Sequence, residues 1–379
     1  MRRPNLPLVL GLVAAVTVAA ACAAGDDGPD GRASSDPAPA TSAPFAPGPA
    51  PTDGSAADIA ALLDDQGFEG EPGCAVGAAR DGDTVFVGGA GVADLDTGEP
   101  ITAETTFDVA SVTKQFTAAA VLSLVEEGRL SLDDDVRRHV PELPDYGVTV
   151  TVEHLLHHTG GLVEYTDLLA EDHDDTDRTT TAQALAAIAA EPELEFDPGS
   201  EFEYSNTGYF LLGLVAARVA GESLDQLLDA ELFTPLGMDA SVLRDDADLD
   251  VALGAEGYVV DAAGRFVPAT TGWEQVGDGA LWTSAADLLR WAENLHTFDV
   301  GGAALGRAMR TPGAVPDVDG SAYGGGLSLT DGRLEHSGAW AGFVSDLVVD
   351  LDEGTSVVAL CNRDDGDAYG LAEDVLALL

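Results

Sequence analysis

Apolar residues Ile59, Leu62 and Leu63 recur at helical spacing behind Ser55 and Asp58, which stand in the order of a capping box, and Gly67 stops the run. Two strands are predicted next, 74–79 and 84–89, with Arg80-Asp81-Gly82-Asp83 between them as a hairpin signal. From 111 to 127 the apolar positions Val112, Phe116, Ala119, Val121, Leu122 and Val125 predict a largely buried helix, ended by Gly128. A helical, loop-rich stretch follows, with helices predicted over 152–157, 181–190, 208–220, 224–231 and 285–295. From Gly325 onward strands return at 327–330, 333–336, 343–350 and 356–362, before a closing helix at 368–379. There is no internal repeat. Strands and a helix at each end, with a helical stretch between, predict an α+β fold in which both ends contribute to one sheet. A cleft between that sheet lobe (55–110 and 325–379) and the helical lobe (111–324) is the natural place for a site.

The first residues read differently. Arg2 and Arg3 precede an apolar run from Leu6 to Ala21, the order of an export signal over 1–21, and the run is short for a membrane span and broken by Pro7 and Gly11. The ending Ala19-Ala20-Ala21-Cys22 resembles a lipoprotein cleavage site without its usual Leu, with Cys22 as the lipidated residue; plain secretion is the alternative. Residues 22–54 shift to Pro, Ala, Gly, Ser and Asp and predict a disordered tether. The folded domain is expected over 55–379, held outside the cytoplasm on a membrane through its lipid.

The chain of 379 residues carries 67 acidic against 17 basic residues, a formal net charge of -50. That balance excludes nucleic acid as a partner. It suits a solvated acidic surface in high salt, where a Debye length of about 3 Å at 1 M hides the self-repulsion. The composition also singles out one residue, because Lys114 is the only lysine among the 17 basic residues. Arg stays protonated, whereas a desolvated lysine can give up its proton.

Ser111 precedes Lys114 by three residues, which puts both on one helix face about a turn apart. Ser111 falls in the first turn, where unpaired backbone N–H groups stabilise charge developing on an oxygen. By itself the pair reads first as a surface Ser and Lys at a helix start. Further along, Tyr204-Ser205-Asn206 precedes a predicted helix; Tyr204 beside a cationic Lys114 could take the proton from Ser111, and Asn206 could hold Lys114 or a substrate amide. Read alone, that triplet is a turn with an Asn N-cap. His336-Ser337-Gly338 closes a predicted strand, with Ala339 next; its edge could lie along a substrate, and its bland reading is a turn with a surface His.

Taken together, Ser111-Val112-Thr113-Lys114, Tyr204-Ser205-Asn206 and His336-Ser337-Gly338 resemble the motifs of the class C beta-lactamase and D-alanyl-D-alanine carboxypeptidase superfamily of serine hydrolases. The likeness spans roughly residues 57–379 and extends to 155–162, 235–238 and 279–288. It implies a beta-lactamase/transpeptidase-like fold, an antiparallel sheet of about five strands flanked by terminal helices with a mostly helical second lobe. It also implies an acyl-enzyme route without a cofactor. In that route Ser111 attacks a carbonyl and Lys114 and Tyr204 move its proton. The Ser111 and Ala339 N–H groups bind the oxyanion, while Asn206, His336 and Gly338 contact substrate. The substrate is a peptide of D-alanyl type, including a cell-wall peptide, an ester or a beta-lactam, met by a monomer; the alternative is a penicillin-binding sensor that acylates without efficient turnover.

Two departures stand out. His336 replaces the lysine usual in class C beta-lactamases, which puts efficient beta-lactam hydrolysis in doubt and favours a carboxypeptidase or esterase, and Gly160 replaces a usual serine. No serine has the GxSxG pattern of an alpha/beta-hydrolase. His154 and His158 stand four apart, yet no HExxH order exists and no metal is expected. The acidic run 171–177 lacks the Gly of a calcium loop and reads as a solvated connection. With Cys22 assigned to the anchor, Cys74 and Cys361 remain, on strands that are antiparallel neighbours in the sheet the resemblance implies. An exported compartment permits a bridge between them. Two buried free thiols are the preferred reading, because neighbouring strand positions often have unsuitable bridging geometry.

Overall fold

The computed structural model describes residues 54–379 except 171–172, 174–175 and 318–319. The residues expected to form a leader, a lipidated Cys22 and a tether lie outside the described residues, as does most of the acidic run. No helix among the described residues is long and apolar enough to cross a membrane.

Seven strands form the main sheet: β1 (Cys74–Arg80), β2 (Asp83–Ala90), β3 (Ala322–Tyr323), β4 (Ser328–Thr330), β5 (Arg333–Trp340), β6 (Phe343–Asp350) and β7 (Thr355–Cys361). Their order across the sheet is β3-β4-β5-β6-β7-β1-β2, all antiparallel, so the first two strands of the domain pair directly with the last. The sheet is thus wider than the expected five, through the short edge strands β3 and β4. Its tight turns follow from local chemistry: Asp81-Gly82, Asp331-Gly332 and Ala341-Gly342 each place two consecutive residues at positive φ, the backbone that two-residue hairpins need. At the last of these, a Cβ on Gly342 would come 2.4 Å from the Tyr258 nitrogen, so only glycine fits.

Both faces of the sheet are covered. Helices α1 (Ser55–Asp65) and α5 (Ala368–Leu376) cover one, burying Ile59, Leu63, Leu371 and Val375 against Val76, Val357 and Ala359. On the other, α4 (Ala285–Thr297) packs on β7 and β1. There the core continues into the helical part, around α2 (Lys114–Glu126) and α3 (Asn206–Ala220). Helix α2 is buried nearly throughout, as its apolar run predicts. Its start differs from the expected single helix: Ala110–Thr113 form a 3-10 turn, and regular helix begins only at Lys114.

Cys74 and Cys361 are directly opposite in the β1–β7 register, with Cα atoms 4.0 Å apart, and form a disulfide. This corrects the preferred free-thiol reading, because exact cross-strand pairing supplies the proximity that a diagonal or slipped register would lack. The bridge closes a loop with a sequence separation of 287, for which chain entropy gives a stabilisation on the order of 5 to 6 kcal/mol.

The α5 face of the sheet buries a carboxyl. Asp346, on β6, is 1% exposed, and burial, then Glu335 and Glu373, push it up to about 8. An unfolded Asp titrates near 3.9, so the folded chain holds a proton that the unfolded chain has released across the window from about 4 to about 8. Stability contributed by this group is complete below that window and falls as pH rises through it, by roughly 1.4 kcal/mol for each pH unit. Asp346→Asn is therefore expected to flatten the decline of melting temperature between pH 5 and 8; a decline as steep as in the parent protein would show that Asp346 does not cause it.

Candidate active site

Strand Thr106–Asp108 leads the chain into the site and pairs with Leu281–Ser284 in a separate three-stranded sheet. The next residue, Val109, donates its N–H to the Leu281 carbonyl at 2.9 Å. Ala110 then takes φ 49°, a left-handed backbone that a non-glycine residue adopts at a cost. Asp108 holds that turn by accepting the Ala110 N–H at 2.9 Å, and burial pushes its carboxyl up to about 6. Ser111 follows this elbow inside the 3-10 turn, and Lys114 opens α2 behind it.

Lys114 is completely buried, and its ammonium is hydrogen-bonded on three sides. Nζ donates to Ser111 Oγ at 3.1 Å, to Asn206 Oδ1 at 2.8 Å and to the Asp278 carbonyl at 2.8 Å. Three N–H bonds saturate an ammonium; in the amine form two N–H groups can stay on Asn206 and Asp278 while the lone pair faces the Ser111 hydroxyl. The cage thus accommodates both protonation states without moving. The Tyr204 ring covers the same nitrogen, its centroid 4.8 Å from Nζ.

Asn206 reaches Lys114 because it is not the helix cap. Ser205 caps α3, accepting the Gly208 N–H at 3.1 Å, so Asn206 is the first helical residue and its amide is free for the lysine. Glu164 Oε2 accepts the Asn206 N–H at 2.9 Å, placing a carboxyl at the positive end of α3.

Gly338 explains how β5 reaches the nucleophile. A Cβ there would come 2.4 Å from the Val109 carbonyl oxygen and 2.9 Å from the Ser111 nitrogen, so glycine allows the strand to lie against the elbow. Ala339 then lines the same cleft as Ser111. His336 lies one layer deeper, 8% exposed, with its ring centroid 6.0 Å from that of Tyr204. Its Nδ1 donates to the Ser337 carbonyl at 2.7 Å, which leaves Nε2 to accept the Tyr323 hydroxyl at 2.9 Å. Burial and then Lys114 lower His336 to about 4, so the ring is neutral at ordinary pH.

Four supporting residues escaped the motif reading. His158, considered there only as half of a metal pair, accepts the Ser205 N–H on Nδ1 at 3.0 Å and stacks between Tyr204 and Tyr209 at 4.5 and 5.0 Å. Burial and the Lys114 charge keep it well below the ordinary histidine range, so it supports Tyr204 as a neutral ring. Asp278 supplies the carbonyl under Lys114, while its buried carboxyl accepts the Tyr165 hydroxyl at 2.8 Å. Glu164 is the fourth. Only His158 had a signal, its place in the 155–162 segment of the resemblance; the others lie at no diagnostic spacing from Ser111.

A cleft opens over Ser111, Asn206 and Ala339. Ser111 thus stands one turn before the buried Lys114, between an antiparallel sheet and a helical lobe. The chain belongs to the Beta-lactamase family, whose model matches residues 56–379. It is 30% identical over 307 residues to a D-aminopeptidase of Brucella anthropi, covering 79% of this chain and 58% of that protein. It is 27% identical over 311 residues to penicillin-binding protein 4* of Bacillus subtilis (strain 168), covering 77% of this chain and 68% of that one. Among solved structures, the octameric penicillin-binding protein homologue from Pyrococcus abyssi matches with a TM-score of 0.75 and 28% identity, over 85% of this chain and 76% of that one.

Proposed function

We propose that this protein is an exported, lipid-anchored serine hydrolase that acts through an acyl-enzyme on Ser111, without a cofactor. The observation that carries the reading is the Lys114 Nζ contact on Ser111 Oγ at 3.1 Å inside a fully buried cage. Ser111 Oγ attacks the substrate carbonyl as its proton passes to Lys114, with Tyr204 over the same nitrogen to share the transfer. The oxyanion meets the N–H groups of Ser111 and Ala339, which Gly338 brings together. The proton returns to the leaving group, and water then attacks the ester carbon and frees Ser111. Asn206 positions Lys114 and borders the substrate, and His336 acts on Tyr204 from behind through the aromatic cluster.

The substrate class we propose is a peptide of D-alanyl type or an ester, in keeping with the D-aminopeptidase and penicillin-binding relatives, hydrolysed by a monomer. Because His336 is neutral, the third motif brings no positive charge to a beta-lactam carboxylate, which supports weak beta-lactam hydrolysis. A panel of D-alanyl peptides, short-chain esters and nitrocefin tests this. Turnover of peptide or ester above nitrocefin is expected. Stoichiometric acylation with no turnover of any member would instead make the protein a penicillin-binding sensor.

A further inference from the structure

Three of the chain's four tryptophans, Trp273, Trp282 and Trp340, line the Ser111 cleft, and the fourth, Trp291, is sealed in the core. They come from separate parts of the chain: Trp273 from a loop, Trp282 from the strand paired with Thr106–Asp108, and Trp340 from the end of β5. Trp273 and Trp340 pack with centroids 5.3 Å apart at 55°, and Tyr165 joins Trp273 at 6.3 Å. The indole nitrogens of Trp273 and Trp282 are buried without a hydrogen-bond partner. A phenylalanine would fill much of this space without an unpaired donor, so packing alone does not account for the indoles.

Charge and position narrow what the indoles could meet. Within the cleft the Asp108 carboxyl and the Arg244 guanidinium oppose one another in charge, and the Asp278 carboxyl is engaged by the Tyr165 hydroxyl, so no single charge dominates the lining. Tyr204, on the side where the leaving group would collect its proton, lines a different hollow with His154, Glu195 and Glu203. The tryptophan-lined cleft therefore receives the other half of the substrate.

We propose that the acyl group transferred to Ser111 is an uncharged aromatic one, seated against Trp340, Trp273 and Trp282, which selects the ester over the D-alanyl peptide of the proposed substrate class. This rests on the acyl-enzyme reading. The test compares p-nitrophenyl phenylacetate with p-nitrophenyl acetate, which share a leaving group, by kcat/KM and by intact mass of the acylated protein. The parent protein is expected to favour the phenylacetyl ester about tenfold. Trp340→Ala is expected to erase that preference, chiefly through KM, and Trp340→Phe to keep most of it, which separates loss of an aromatic face from loss of fold. Equal kcat/KM for the two esters in the parent protein overturns the proposal, as does an equal loss on both esters in Trp340→Ala. Acylation at Ser111 without an aryl preference overturns this proposal alone; the absence of both p-nitrophenol release and an adduct with either ester overturns the acyl-enzyme reading and this with it.

Discussion

Ser111→Ala is expected to leave a folded protein with turnover reduced by about four orders of magnitude or more, the scale on which serine nucleophiles are lost. The substitution removes one oxygen from a half-buried position and one of three acceptors from Lys114, whose other two, Asn206 Oδ1 and the Asp278 carbonyl, remain at 2.8 Å. The cage should therefore survive, and melting temperature should change little. Intact-mass spectrometry after a fluorophosphonate or a penicillin should show a single adduct on the parent protein and none on the variant. An adduct that persists in the variant would place the nucleophile elsewhere.

Lys114→Arg is the second large effect, a loss of turnover on the order of hundredfold or more, as expected for a general base. Two physical reasons act together. A guanidinium keeps its charge under all ordinary conditions, so it cannot accept the Ser111 proton. Its planar fork also mismatches a cage built for one nitrogen, whose acceptors lie at 3.1, 2.8 and 2.8 Å in a fully buried space. Lys114→Met, which removes the charge and keeps a flexible chain of similar length, separates these causes. If either variant turned over ester at a near-normal rate, Lys114 would serve electrostatics or packing and Ser111 would need another base.

His336 and Tyr323 show where a motif and its geometry differ in emphasis. A strand-end histidine invites the expectation of a substrate contact, yet both ring nitrogens are engaged, one by the Ser337 carbonyl and one by the Tyr323 hydroxyl. Its ring packs against those of Tyr204 and Tyr323, which in turn pack against His158.

Much of the fold was legible because it rests on local rules. The Asp81-Gly82 hairpin, the buried α2 run, the returning strands and the Ser111–Lys114 spacing involve residues within a few positions of one another, where backbone geometry and side-chain type suffice. The antiparallel arrangement and the pairing of the first strands with the last came from the resemblance and from the distribution of strands, and both are present in the sheet. What only the tertiary structure decided involves residues far apart in the chain. The register that sets Cys74 on Cys361 could not be read from their spacing, because a one-residue slip would turn one of them to the other face. That Ser205 rather than Asn206 caps α3, leaving the asparagine for Lys114, depends on Glu164 and His158 holding that backbone from another segment. The carbonyl of Asp278, 164 residues beyond Lys114, completes the cage through a main-chain atom that no side-chain pattern reports. Nor could sequence gather Trp273, Trp282 and Trp340 around one cleft, since proximity there is set by packing of three separate segments and not by any local propensity.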